Sequence, residues 1–215
     1  MAIYDLSRSI CDGDPGVRVS PARTLEKDGW NASTLELYSH SGTHMDAPWH
    51  FGCGEATIDE TPLSTCMGPA HIVRLPDTQD AEWLTVGHLG ALAENFTAGH
   101  SLILHTGWSR FFDQPDIYRR KLPRISEELA RWCVEKRVRM LGVEPPSVAD
   151  VNSIEEVTTI HQILLGGGVT IIEGLVNLES IPTDHCHFAA FPLKIHHGDG
   201  SPCRALASDQ PFPSA

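Results

Sequence analysis

His40-Ser41-Gly42-Thr43-His44-Met45-Asp46-Ala47-Pro48-Trp49-His50-Phe51 sets three histidines and an aspartate within eleven residues. The stretch follows a strand candidate at residues 34–40, and Gly42 and Pro48 make it poor helix material. A strand end running into a tight loop can bring His40, His44 and Asp46 around one point. Two imidazoles and a carboxylate suit Zn, Mn or Fe(II) and leave coordination positions open for water or substrate. An open position permits catalysis, because a divalent metal lowers the pKa of a bound water toward neutrality. His50, four residues beyond Asp46, is placed to accept or donate a proton rather than to ligate.

Working outward, a second cluster lies at His161 and Glu173. Ser153 and Glu156 form the two ends of a capping box that starts a helix. Ile154, Val157, Ile160, Leu164 and Leu165 give it an apolar stripe, and Gly166-Gly167-Gly168 ends it. His161 points inward with that stripe. Glu173 ends a run of Val169, Thr170, Ile171 and Ile172 that reads as a buried strand. A buried carboxylate is costly unless paired or bound to a cation. Periodicity alone leaves two readings open: a hydrogen-bonded His161–Glu173 core pair, or two further ligands, with Asp46 bridging a second ion.

Composition bounds the answer. The 215 residues suit one ordinary domain, residues 1–215, with 41% hydrophobic and 20% charged side chains. Sixteen Lys and Arg against 28 Asp and Glu give a formal charge of −12, which argues against a nucleic-acid or anionic-membrane surface. Twelve histidines lean toward metal chemistry. The six cysteines show no C-x-x-C spacing and read as reduced, buried thiols of a cytoplasmic protein. The apolar stretch 157–172 contains a histidine and three glycines and falls short of the roughly 18 residues that span a bilayer.

Along the chain the elements alternate in a mixed α/β order. Strands are expected at residues 2–6, 34–40 (with one drier face), 70–75, 101–105, 140–144, 169–175 and 189–195. Helices are expected at 84–96, 126–137 and from Ser153 to the triple glycine. Residues 11–16 and 197–202 read as turns. Trp49 and Trp108 read as core or pocket walls. His185-Cys186-His187 reads as structural or pocket-lining, and His196-His197 as solvent-facing. There is no G-x-S-x-G nucleophile elbow and no phosphate-binding glycine loop.

The loop from His40 to Phe51 resembles the H-x-G-T-H-x-D-x-P-x-H signature of the metal-dependent cyclase family, which includes bacterial kynurenine formamidases and isatin hydrolases. Gly13-Asp14-Pro15, His105-Thr106-Gly107-Trp108, Gly142-Val143-Glu144-Pro145-Pro146-Ser147, His161 to Leu178, and Pro192 through Arg204 match its pattern in order. The resemblance implies an α/β domain of the swivelling β/α/β type, with a mixed sheet and a few flanking helices. It implies a homodimer or homotetramer acting on a small molecule. It also implies hydrolysis of a C–N bond in an amide or cyclic amide by metal-activated water, with lactone hydrolysis or cyclisation as the alternative. By the same resemblance His40, His44 and Asp46 match ligands of a first divalent ion, Zn or Mn. Asp46, His161 and Glu173 match ligands of a second, so that one or two ions are held per chain. His50 matches the acid/base. One departure stands out: the formamidases carry a stacking tryptophan before the N-terminal turn, where this chain has Ile10 and Cys11 before Asp12-Gly13-Asp14. A flat arene loses a contact of roughly 0.5–1.5 kcal/mol there.

Two other classes stay open on the residues alone. One is a mononuclear Fe(II) oxygenase, whose facial triad is also two histidines and a carboxylate. The other is a protein in which ions staple the fold without turnover.

Overall fold

A computed structural model describes residues 1–212. Its strands are β1 (Ile3–Asp5), β2 (Val17–Arg23), β3 (Ala32–Leu37), β4 (His44–Asp46), β5 (Met67–Arg74), β6 (Trp83–Leu84), β7 (Ser101–His105), β8 (Arg124–Ile125), β9 (Met140–Val143), β10 (Thr170–Glu173), β11 (His185–Pro192) and β12 (Gly200–Ser208). Seven of them close into a barrel in the order β12-β11-β5-β7-β9-β10-β4 and back to β12. Strand β12 makes the closure possible. Gly200, Ser201 and Pro202 pair with β4, and further along β12 Leu206, Ala207 and Ser208 pair with β1. Strands β5, β7, β9 and β10 run parallel, whereas the seam strands β4, β11 and β12 pair antiparallel. The architecture is the mixed α/β sheet with few helices that the sequence led us to expect.

Period-two alternation divides the core between the two faces of this sheet. Ile103, Met140, Ile172 and Phe188 fill the barrel with Met45. Leu102, Leu104, Leu141 and Ile171 point outward and meet the two long helices, Glu127–Glu135 and Ile154–Gly166. Ser126 caps the first helix by accepting from Leu129 N at 3.1 Å. Ser153 caps the second by accepting from Glu156 N at 3.3 Å. The second helix ends where expected, with Gly168 in the left-handed region at φ +80°. Among the described residues no helix is long and apolar enough to cross a membrane.

Several elements differ from expectation for physical reasons. The alternating stretch at 34–40 is strand only to Leu37, and it pairs solely with β2. Among the described residues no layer covers it, so Leu35 is 59% exposed and the drier face does not form within the chain. The helix expected at 84–96 breaks into the turns Val86–Leu89 and Leu92–Asn95, because Gly90 takes φ +54° and ψ −133°. Only half of the capping box forms: the Glu156 carboxylate goes to Asp150 N and Arg124 instead of Ser153. Ile154, in the first helical turn, is 79% exposed and does not join the apolar stripe. Strand β12 runs on through Cys203 to Ser208, where the sequence signalled only the turn that precedes it.

One buried group organises the wall near β7 and β9. The Glu144 carboxylate follows β9 and is fully buried. It accepts from Gly107 N (2.5 Å), Trp108 N (3.3 Å), Thr106 Oγ1 (3.1 Å) and Ser109 Oγ (2.7 Å). Replacing Glu144 by Ala strands those donors and should lower stability by about 3 kcal/mol or more. Urea unfolding measures this, and an unchanged midpoint would refute the role.

Candidate metal centre

Register brings distant residues together at the barrel seam. Strand β4 lies between β10 and β12, with His44 opposite Glu173 and Asp46 opposite Gly200. Met45 points into the barrel, so His44 and Asp46 share the outward face. Ile172 likewise points inward and turns Glu173 out beside them. The helix Ile154–Gly166 packs over this face and lowers His161 onto it. The short turn Pro48–Phe51 carries His50, and Phe51 stacks on His161 with centroids 4.3 Å apart. His40 reaches the group across Gly200. A Cβ there would stand 2.6 Å from His40 Cε1, so glycine is needed for the approach.

The hydrogen bonds fix the ring tautomers. His44 Nδ1–H donates to Gly42 O at 3.0 Å, and His161 Nδ1–H donates to Val157 O at 2.6 Å. A carbonyl only accepts, so each Nδ1 must carry the proton. His44 Nε2 then faces Glu173 Oε2 at 3.1 Å and Asp46 Oδ1 at 3.8 Å. His161 Nε2 lies 3.5 Å from both Asp46 Oδ2 and Glu173 Oε1. Both Nε2 atoms thus meet carboxylate oxygens, contacts that are favourable only with a proton or a cation between the atoms. Asp46 Oδ2 is buried with no hydrogen-bond partner, while Glu173 Oε1 accepts Val148 N at 2.7 Å. All four residues are at most 3% exposed.

This donor set fits divalent metal. Ligand atoms of His44, Asp46 and Glu173 lie within 4.8 Å of one another, as do those of His40, Asp46 and His50.

The outer part of the site is wetter. His40 Nδ1 lies 2.9 Å from Asp46 Oδ1, and His40 Nε2 lies 3.0 Å from Asp199 Oδ2. His50 stacks on His40 at 3.9 Å, with its Nδ1 3.4 Å from the same Asp199 oxygen. Burial pulls the His40 pKa down, but Asp46 and Asp199 outweigh it and raise the group to about 9. His50 goes the other way: burial lowers its pKa, and the His40 and His161 charges add to this against the pull of Asp46. Burial opposes ionisation of Glu173, yet hydrogen bonds from His161 and His44 hold it far below the ordinary carboxylate range. His161 is raised, because Glu173 and Asp46 overcome its burial. A cavity of about 240 Å³ opens onto His40, His44, His50 and His161. A neighbouring one of about 330 Å³ shares His40, His44 and Arg119 and adds Phe112 and Tyr118.

All six residues singled out in the sequence, His40, His44, Asp46, His50, His161 and Glu173, therefore converge. Asp199 was missed. Its only signal was a carboxylate between two glycines, and its role depends on where β12 begins. Trp49 is half-exposed and lines neither cavity, whereas Trp108 is buried. His185 stands apart, edge-on to His71 with centroids 4.8 Å apart.

A family model described as "Putative cyclase" matches residues 4–150. A kynurenine formamidase from Salinibacter ruber is 31% identical over 225 residues, covering 99% of this chain and 100% of the relative. One from Geobacillus thermodenitrificans is 30% identical over 184 residues, covering 84% and 81%. Isatin hydrolase A from Labrenzia aggregata, solved with benzyl benzoate, matches with a TM-score of 0.87 over 97% of this chain and 94% of its own, a likeness of fold at 23% identity. A solved structure described as a "potential metal-dependent hydrolase with cyclase activity" matches with a TM-score of 0.78 over 98% and 99%, at 26% identity. On the strength of the family match and of relatives similar along most of their length, this chain belongs to the cyclase family.

Proposed function

We propose that this chain hydrolyses the C–N bond of a small amide or cyclic amide, using one or two divalent ions, Zn or Mn, with His50 as acid and base. The chain is an enzyme of the amide-hydrolase type. The observation that carries the proposal is the buried Asp46 Oδ2, which has no hydrogen-bond partner among the described residues, beside His161 Nε2 and the Glu173 carboxylate. Imidazole protons aside, nothing there balances the two buried carboxylates. His40, His44, Asp46, His161 and Glu173 are the residues that would hold a cation. When bound, the ions supply Lewis acidity toward a carbonyl oxygen and a water.

The chain's own groups do the rest. The buried acids and imidazoles are rigid and dry, so they need no reorganisation during the reaction. His50 lies on the cavity wall, half-buried, with its pKa pushed down, so its ring is neutral and basic at neutral pH. It takes a proton from the attacking water as the C–O bond forms. It returns that proton to the nitrogen as the C–N bond breaks. Aryl formamides and cyclic amides are the first substrates to try, in line with the names of the relatives. A cytoplasmic setting belongs to the same reading and is supported by six cysteines that are all free.

Elemental analysis followed by a hydrolase screen with N-formylkynurenine and isatin tests the proposal. Bound Zn or Mn and amide turnover that chelation abolishes are expected. A metal-free chain, or turnover that survives chelation, would reject it. Replacing His50 by Ala should leave metal content normal while kcat falls roughly 10²–10⁴-fold; wild-type kcat removes His50 from the mechanism. Asp46→Asn should lose metal and activity together, and retention of both would refute the ligand assignment.

The pH profile follows from sign. The His50 pKa is depressed, so the base form persists to lower pH, and activity falls only as pH drops through that depressed value. A nearby bound cation pushes in the same direction. The acid limb of kcat/KM should therefore have its midpoint below about 6.5, the ordinary histidine value. A midpoint above that value contradicts the assignment.

A further inference from the structure

Asp199 closes the turn that leads into β12, and its Oδ2 stands between two stacked imidazoles. It is 3.0 Å from His40 Nε2 and 3.4 Å from His50 Nδ1. The backbone pins it there. Asp199 O accepts from Ala47 N at 3.0 Å, Ala47 O accepts from His50 N at 3.0 Å, and Gly198 O accepts from Ile58 N at 2.9 Å. The turn that carries the carboxylate and the turn that carries His50 are thus tied together two hydrogen bonds apart. The flanking glycines serve close approach. A Cβ on Gly198 would stand 2.8 Å from Ile58 Cγ2, and one on Gly200 would strike the His40 ring.

A carboxylate can only accept from a ring N–H. Beside His50 it favours the tautomer with the proton on Nδ1 and leaves Nε2 as the lone pair. Beside His40 it accepts the Nε2 proton, while Asp46 Oδ1, 2.9 Å from Nδ1, accepts the other; a cation bound at this ring would replace the Nδ1 proton and leave the Nε2–H on Asp199. One oxygen thereby fixes which nitrogen of His40 is left for a cation and which nitrogen of His50 is left for proton transfer. Carboxylates of this kind, one step behind a ligand or a base, orient the ring and support the positive charge it gains.

We infer that Asp199 is a positioning residue for this site: it holds the His50 proton on Nδ1 so that Nε2 does the proton transfer, and it holds His40 with Nδ1 turned toward Asp46. The inference rests on the reading of His50 as acid and base. Asp199 itself touches neither substrate nor ion.

The test uses the full, metal-loaded chain and one amide that the wild type turns over. Asp199→Asn should lower kcat roughly 10–100-fold with KM unchanged, and weaken metal retention against a competing chelator by roughly the same factor. Placed in the His50→Ala background at saturating metal, Asp199→Asn should cost nothing more in kcat, because its effect on turnover passes through His50 while its effect through His40 shows in metal retention. Asp199→Ser, a smaller change on a partly exposed turn, should repeat the pattern and covers a poorly folding Asn variant. Wild-type kcat in Asp199→Asn, while His50→Ala is inactive, overturns the inference and leaves the His50 reading intact. Losses that multiply in the double variant, or a KM rise with kcat unchanged, also overturn it. Full activity in His50→Ala sinks the earlier reading instead.

Discussion

Two carboxylates and two imidazoles are buried together at the barrel seam, and the rest of the molecule accommodates that concentration of charge. The His44 and His161 Nδ1 protons are committed to backbone carbonyls, so only their Nε2 atoms meet the oxygens of Asp46 and Glu173. In a dry environment such an arrangement costs several kcal/mol for each uncompensated charge. The chain spends scarcely any donors on relieving it. Val148 N serves one oxygen of Glu173, and Asp46 Oδ2 has none. Glu144 shows the opposite treatment, since its buried carboxylate collects four donors. One carboxylate is satisfied by protein and is structural; the other pair is left open to a cation. Two acids with the same burial are told apart by their donors alone.

Closure of the barrel is what turns this into a site. Strand β4 has only three residues and is held on both edges, by β10 and by the start of β12. A one-residue slip in either pairing would exchange the outward and inward faces and bury Met45 where Asp46 stands. Pro202 is tolerated opposite His44 because the ladder there is short and ends within the site. The outward positions are then covered by the helix Ile154–Gly166, so that packing of its apolar stripe also delivers His161. Stability and ligand placement share one set of contacts.

This division explains what the sequence made legible. The loop from His40 to His50 declared itself because three histidines and an aspartate in one short stretch are hard to explain otherwise. His161 and Glu173 needed a resemblance to known proteins, since periodicity allowed an ordinary core pair. The end of the Ser153 helix was readable from its glycines, and so was the inward direction of His161. What failed were features set by distant partners. Leu35 alternates as a half-buried strand does, but among the described residues no layer covers it. Glu156 has the right spacing for a reciprocal cap, yet Arg124 and Asp150 compete for its carboxylate. Asp199 looked like a turn residue because nothing local records that β12 returns beside β4. Tertiary pairing, absent from any short window, decides all three.

Burial grades the site by task. The inner four groups are nearly inaccessible, while His50 and Asp199 keep about a quarter and a third of their side-chain surface in contact with solvent. The proton exchange proposed for His50 requires that contact, because a base must shed and regain protons. The stacking of His40 on His50 adds an electrical constraint. Two imidazoles 3.9 Å apart cannot both carry charge cheaply. Whatever positive charge settles on His40, from a proton or from a neighbouring ion, drives His50 toward its neutral form. On the proposed reading, a cation in the inner site would keep His50 neutral in the same way, so that the outer group stays able to accept a proton.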